Sequence, residues 1–199
     1  MLGHHIYSAA MTITVDRDAL FNNVYDTEHI PALERVPGVL GVRRYRRLSP
    51  TERFYLAVYE IADPGVPSSA GWLKARDLGR WPTEVRPFTS GLQNGLFSWH
   101  AGFGGRRLDE PASTVLLATR CLDAPDLDAQ TDRIMSWLSG QPAVAAAAFY
   151  REHDGRPHLL AVAVDRAASE AASELARADD GPASLGPVET YAPIRAREG

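Results

Sequence analysis

An internal repeat constrains this chain more than any other feature. Val36-Pro37-Gly38-Val39, followed by Val42-Arg43-Arg44-Tyr45-Arg46, aligns with Gln141-Pro142-Ala143-Val144, followed by Ala147-Ala148-Phe149-Tyr150-Arg151, at an offset of 105. Leu56-Ala57-Val58 returns as Leu160-Ala161-Val162 at an offset of 104, and Ser8 to Thr14 returns more loosely as Ser113 to Thr119. A self-similarity of this length means that one supersecondary unit has been used twice.

Taken in order, the first copy starts with a β-branched, apolar run from Ile6 to Val15, which reads as a strand. Asp16 or Asp18 is placed to cap a helix over Ala19 to Arg35, which Pro37-Gly38 ends. Val39 to Leu48 and Arg53 to Ile61 read as a strand pair around the turn residues Ser49-Pro50-Thr51-Glu52. A loop over residues 63–69, a short helix from Ala70 to Leu78 and a strand from Leu92 to His100 complete a β-α-β-β-α-β unit, the split βαβ pattern. The second copy gives strand Thr114–Leu122, helix Leu127–Leu138 capped by Asp126, and strands Ala143–His153 and His158–Val164 around Asp154-Gly155. Helix Ser169–Ala178 and strand Val188–Ile194 close it. The expected domains are therefore 1–101, a glycine- and charge-rich linker over 102–111, and 112–199. Each sheet should carry helices on one face and a bare apolar face on the other, so the fold class is α+β, with the bare faces packing to close an α/β barrel.

Within the first helix, Tyr25-Asp26-Thr27-Glu28-His29-Ile30-Pro31 reads as a helix broken in its middle. Pro31 has no N–H for the carbonyl of Thr27, and its ring crowds that carbonyl. Tyr25 and His29, four apart, share a face. At the offset of 105, Glu28 meets Arg133, His29 meets Ile134 and Pro31 meets Ser136, whereas Leu33 meets Leu138. The core position returns in the second copy and the ionisable ones do not, so function is expected in the first.

Composition removes several classes. A net charge of −4 argues against nucleic acid as a partner. No apolar run reaches the roughly 20 residues of a membrane span, and the opening Met1 to His5 lacks a secretion signal, so a cytoplasmic protein is the default. The single cysteine, Cys121, leaves no disulfide framework and no thiol cluster. His4-His5 and the pair His153/His158 have no carboxylate or thiol at ligand spacing, so no metal is expected. Phosphate-cradling and nucleophile-elbow motifs are absent.

The run Asn22-Asn23-Val24-Tyr25-Asp26-Thr27-Glu28-His29-Ile30-Pro31, with Val36-Pro37-Gly38-Val39, Arg44-Tyr45-Arg46, Tyr55-Leu56-Ala57-Val58-Tyr59-Glu60 and Trp81, resembles EthD-like proteins of the dimeric α/β-barrel (ferredoxin-like) superfamily. The second half resembles that superfamily only through the repeat, so the chain looks like a fused pair of ferredoxin-like halves. The resemblance implies a pocket for a small apolar or aromatic molecule, with His29 at the family's first-helix histidine. It implies an isomerase, cyclase or lyase acting on an aromatic or polyketide-like compound in biosynthesis without a cofactor. A ligand-binding or accessory protein is the alternative, and a haem-binding or monooxygenase member a second one. Superfamily members often pair, which leaves a homodimer open.

The candidate catalytic residues follow. His29 would shuttle a proton, because imidazole titrates near neutrality. Glu28 would orient it, and Tyr25 or Tyr45 would donate to a developing oxyanion. Arg44 is either a structural ion-pair partner, for Glu60 or another carboxylate, or an anchor for a substrate carboxylate. Tyr55, Tyr59, Trp81, Phe97 and Trp99 are candidate walls, with His100 beside them.

Overall fold

The computed structural model describes residues 4–48, 53–104, 114–121, 127–141, 144–153, 158–165 and 189–194. The chain divides into two compact units, Gly3–Leu96 with Ile194–Gly199 and Phe97–Pro193 with Met1–Leu2. The division falls inside one long strand.

In the first unit, strand β1 (His5–Ile13) leads through a single 3-10 turn (Val15–Arg17) into helix α1 (Asp18–Val24). A π-turn (Tyr25–His29) and helix α2 (Ile30–Glu34) follow, then strands β2 (Val39–Arg47) and β3 (Arg53–Ile61). Helix α3 (Ala70–Arg76) and a second π-turn (Trp81–Val85) lead to strand β4 (Thr89–Phe103). The β3 strand is central, antiparallel to β1 with Ala57 opposite Ala9, and antiparallel to β2 with Ala57 opposite Arg44. Alternation then sends Tyr55, Ala57 and Tyr59 to the face that the helices cover, where they join Phe21, Val24, Tyr25, Leu33, Trp72 and Trp81 in one core.

The break in the helix falls where the proline predicts, and it takes a specific form. Ile30 sends its N–H to the carbonyl of Tyr25, five residues back, so one extra residue is accommodated. This is a π-bulge, and Pro31 at the next position cannot restore the regular ladder. The second unit supplies the comparison. Its helix α4 (Leu127–Ser139) runs unbroken for 13 residues, with Ser136 where the first unit has Pro31. Ile134 and Leu138 are buried there as His29 and Leu33 are here.

Helix capping differs from expectation. Neither Asp16 nor Asp18 caps α1; Asp18 is its first residue, and its carboxylate accepts the Tyr55 hydroxyl. Pro37-Gly38 does end the helical segment. Gly38 sits at φ +91°, and a Cβ there would come within 2.7 Å of Val66 Cγ2, so only glycine fits.

A polar layer pins helix to sheet. Arg44 is 5% exposed and donates to the Asp26 carboxylate and to Asn22 Oδ1, the latter at 2.8 Å. Its guanidinium carbon lies 4.5 Å from the Tyr25 ring centre, a cation–π placement. Asn22 in turn donates to the Tyr55 hydroxyl at 3.0 Å. Of the structural partners expected, Glu60 or another carboxylate, the one that Arg44 takes is Asp26. A second clasp holds the outer side: Glu28 accepts the Arg80 backbone N–H at 2.9 Å and Arg80 Nε at 2.6 Å. These bonds hold the Glu28 carboxyl below its ordinary range. Gly79 permits the close approach, since it sits at φ +65° and a Cβ would collide with that carboxylate.

In the second unit β5 (Thr114–Cys121) pairs antiparallel with β7 (His158–Asp165), and β7 with β6 (Val144–Glu152). The unit's part of β4 pairs with β6, and β8 (Glu189–Ile194) with β5. A central strand flanked by two others is therefore common to both units, but the register is not. Ala161, the counterpart of Ala57 at the offset of 104, lies opposite Ala118. The alignment at 105 instead places Thr114 in the position of Ala9. The loose match of Ser8–Thr14 to Ser113–Thr119 is thus out of step by four residues. Gly102 and Phe103 belong to β4 rather than to a linker. The expected turns at 49–52 and 154–155, helix 169–178, and the Asp126 cap lie outside the described residues, as does most of the 102–111 segment. No helix among the described residues is long and apolar enough to cross a membrane.

Two outcomes follow from the pinned helix. Arg44→Met should lower unfolding stability by roughly 3 kcal/mol, because Asp26 is left as an uncompensated charge, and adding Asp26→Leu should recover part of the loss in urea melts. Gly79→Ala should cost about 1–3 kcal/mol through its positive φ and the displaced Glu28 carboxylate, also read by urea unfolding.

Candidate functional site

Within the first unit the two π-turns face each other and enclose a cavity of about 290 Å³. This lies at the small end of the range of roughly 300–1,000 Å³ for small-molecule sites. The first π-turn contributes Tyr25 and His29, the second Trp81, and β3 contributes Tyr59. Tyr7, Ala9 and Met11 enter from alternate positions of β1, and small Ala9 between two larger side chains leaves the space open. Trp72 is set by the first turn of α3, where Ser69 Oγ accepts its backbone N–H at 3.2 Å.

The rings form a box. His29 stacks on Trp81 with centroids 4.5 Å apart and planes at 28°. Tyr25 meets His29 at 4.8 Å and Trp81 edge-on at 5.3 Å. On the far side Trp72 stands edge-on to both Tyr7 and Tyr59. Edge-to-face and offset contacts of this kind hold ring orientations that area burial alone would leave free.

Two polar groups face this apolar wall. The Tyr25 and Tyr59 hydroxyls are 3.0 Å apart and both are buried. Burial raises both phenols above their ordinary range, Tyr59 the further, so each stays protonated and one hydroxyl hydrogen of the pair is available to a ligand oxygen. His29 is 4% exposed, and its Nδ1 has no hydrogen-bond partner among the described residues. Burial, with the Arg86 guanidinium second, pulls the imidazole down to about 4. The expectation that it titrates near neutrality is corrected: in this apolar setting the charged form is disfavoured, and at pH 7 His29 is a neutral acceptor.

At the rim, Arg76 and Arg86 line the cavity and share the Asp77 carboxylate. Arg76 Nη2 is 3.2 Å from Asp77, and Arg86 makes the shorter contact. The hydrogen bonds from Arg76 and then Arg86 hold Asp77 down to about 2.

Of the residues singled out from sequence, His29, Tyr25, Tyr59 and Trp81 meet in this cavity. Glu28 does not, since Arg80 holds its carboxylate outside. Tyr45 is buried opposite Leu56, on the face of β2 and β3 turned away from the helices. Arg44 lies under the helix with its donors engaged by Asp26 and Asn22, and Tyr55 is held by Asp18 and Asn22. Phe97, Trp99 and His100 belong to the second unit, where His100 Nε2 lies 3.1 Å from Asp128. The sequence reading missed Tyr7, Arg76 and Arg86. Tyr7-Ala9-Met11 shows the period of one strand face, but nothing local marks the two arginines, which meet through tertiary contact.

Among the described residues no group of three or more His, Cys, Asp or Glu side chains is placed to hold a metal ion. The side chains of Cys121 and His158 lie outside the described residues. Haem does not fit this cavity, because a porphyrin is broader than the space that the packed rings leave, and no chemistry is derived through it.

No protein-family model matches the sequence, and no curated protein matches it. Solved structures do share its fold. A protein of Fusobacterium nucleatum subsp. nucleatum proposed to be a monooxygenase matches with a TM-score of 0.64 at 10% identity, covering 98% of this chain and 94% of that one. An anthrone oxidase-like protein matches at 0.61 with 13% identity, covering 96% and 92%. A protein proposed to be a chlorite dismutase matches at 0.59 with 11% identity, covering 96% of each. What the chain has in common with them is the fold: an α+β architecture of antiparallel strands with helices.

Proposed function

We propose that this protein is a small-molecule enzyme that moves a proton on an aromatic or polyketide-like carbonyl compound without a cofactor. The observation that carries this reading is His29, a neutral imidazole buried in an aromatic box with an unpartnered ring nitrogen. The ring walls would hold a planar substrate by stacking and exclude water. His29 would take the proton from the carbon next to the carbonyl, and the C–H electron pair would pass into the carbonyl oxygen. The hydroxyl hydrogen of the Tyr25–Tyr59 pair would donate to the enolate oxygen so formed. The imidazolium would then stand beside the enolate it created, which offsets the cost of charging a buried ring. Returning that proton to a different carbon completes an isomerisation; loss of a leaving group or attack on a second carbonyl gives a dehydration or a cyclisation. Glu28, by clasping Arg80, would position the π-turn without touching substrate.

The wider proposal is that the chain is a fused pair of EthD-like, ferredoxin-like repeats, the first carrying the site and the second degenerate. The shared central-strand topology supports this, as does the coverage of more than nine-tenths of each structural neighbour by this single chain. A second reading has the same enolate react with oxygen, as a monooxygenase would. The descriptions of two neighbours, one proposed to be a monooxygenase and one anthrone oxidase-like, favour it. A third reading, ligand binding without turnover, separates from both by experiment.

Anthrone, a fused-ring ketone with an acidic CH₂, serves as probe. Exchange of that CH₂ into deuterated water, followed by proton NMR, should be accelerated by the parent protein. His29→Gln should slow it about 100-fold or more while leaving binding nearly intact. Equal rates in parent and variant remove His29 from the mechanism, and binding without exchange in the parent favours the non-catalytic reading. Dependence on oxygen, seen as anthraquinone formation, marks the second reading.

The buried imidazole also sets a pH dependence of stability. Its folded value of about 4 lies below the unfolded value of about 6.5. Between the two the unfolded chain binds more protons, so stability rises with pH there and is lost on acidification. Urea unfolding should show a loss of up to about 3 kcal/mol between pH 7 and pH 4 from this group. His29→Phe, which keeps a ring against Trp81, should flatten that dependence.

A further inference from the structure

The rim of the cavity carries a charge pattern that the proton-transfer reading does not use. Arg76 closes α3 and Arg86 follows the second π-turn, ten residues on, and both line the cavity. Between them stands one carboxylate, Asp77, so the cluster keeps a net positive charge. Arg76 spends Nε and Nη2 on Asp77, and Arg86 spends one Nη2. Each guanidinium has five N–H donors in a planar fork, so several remain at the mouth of a box whose walls are otherwise rings and aliphatic chains. The remaining polar side chains of the lining near that mouth, Thr89 and Asn94, are neutral.

We propose that Arg76 and Arg86 select a planar aromatic ligand bearing an ionised carboxylate, the ring inside the box and the carboxylate at the rim. This rests on the aromatic-pocket reading above and narrows its substrate class. The physical basis is complementarity of shape and charge: a guanidinium fork matches a carboxylate bidentately, and the low-dielectric wall beside it strengthens the attraction. Arg44, expected from sequence to anchor such a group, lies buried beneath the helix and does not line this cavity. Asp77 holds the two arginines side by side and competes with the ligand for their donors. The groups facing the rim are then two cations and one anion, with His29 neutral behind them.

The test compares naphthalene-2-carboxylate with naphthalene-2-carboxamide, its uncharged isostere, by calorimetric titration of the full chain near pH 7. The parent should bind the carboxylate about 10-fold more tightly or better, and raising salt well above 0.15 M should shrink the preference. Arg86→Gln and Arg76→Gln should each bring the two affinities toward parity, with carboxylate binding weakened more than amide binding. Asp77→Asn should enlarge the preference by releasing donors. Equal affinities for the two probes in the parent overturn the proposal and leave the aromatic pocket standing. Binding of neither probe overturns the pocket reading along with it. A carboxylate preference that survives both arginine variants also overturns the assignment, since the charge is then read elsewhere.

Discussion

One missing hydrogen-bond donor organises the first unit. Pro31 cannot give an N–H to Thr27, and the helix takes the widened turn in which Ile30 reaches back to Tyr25. The unbroken helix α4 has Ser136 and a buried Ile134 at the positions that the sequence alignment sets against Pro31 and His29. The second π-turn repeats the device, with Arg86 bonding back to the Trp81 carbonyl and Pro87 following it as Pro31 follows Ile30. Two widened turns thus present His29 and Trp81 to each other at stacking distance. π-bulges concentrate at functional sites because they place side chains where a regular helix would not.

Such turns are weak on their own, and the surrounding polar layer holds them. Arg44 reaches up from the sheet to Asp26 in the first π-turn and to Asn22 in the helix before it, while Glu28 reaches across to Arg80 before the second. Each clasp uses a charged group at the margin of an apolar core, where the pair's geometry and added hydrogen bonds offset desolvation. The consequence is a division of labour. Charge lies beneath the rings and at the cavity rim, the ring walls stay apolar, and the imidazole within them stays neutral.

The chemistry open to the site follows from that division. A neutral, buried acceptor beside a protonated phenol pair is suited to taking a proton and holding the oxyanion that results. The arginines at the rim add a second, outward-facing recognition element with a sign of charge. Fold likeness to proteins of several activities does not by itself choose among these readings, because chemistry lives in the side chains set on a fold.

Much of the architecture was legible in the chain because it is written in local terms. Strand alternation, the proline in the helix and the glycine that ends it all depend on neighbours in sequence. The alignment that sets Leu138 against Leu33 and Ile134 against His29 is what points to the first half. Registers were not legible: the four-residue slip of the first strand against its supposed copy depends on pairing across the sheet. Nor were the assignments of the charged groups. Arg44 finds Asp26, Glu28 turns out to Arg80, and Arg86 joins the neighbouring pair Arg76 and Asp77, each through the way the elements pack. The sequence by itself determined which elements form and where the helix must widen, since those are contests between backbone groups a few residues apart. Only the tertiary structure decided which ionisable side chains share the cavity and in what protonation state, since burial and partner charge are properties of the packed unit.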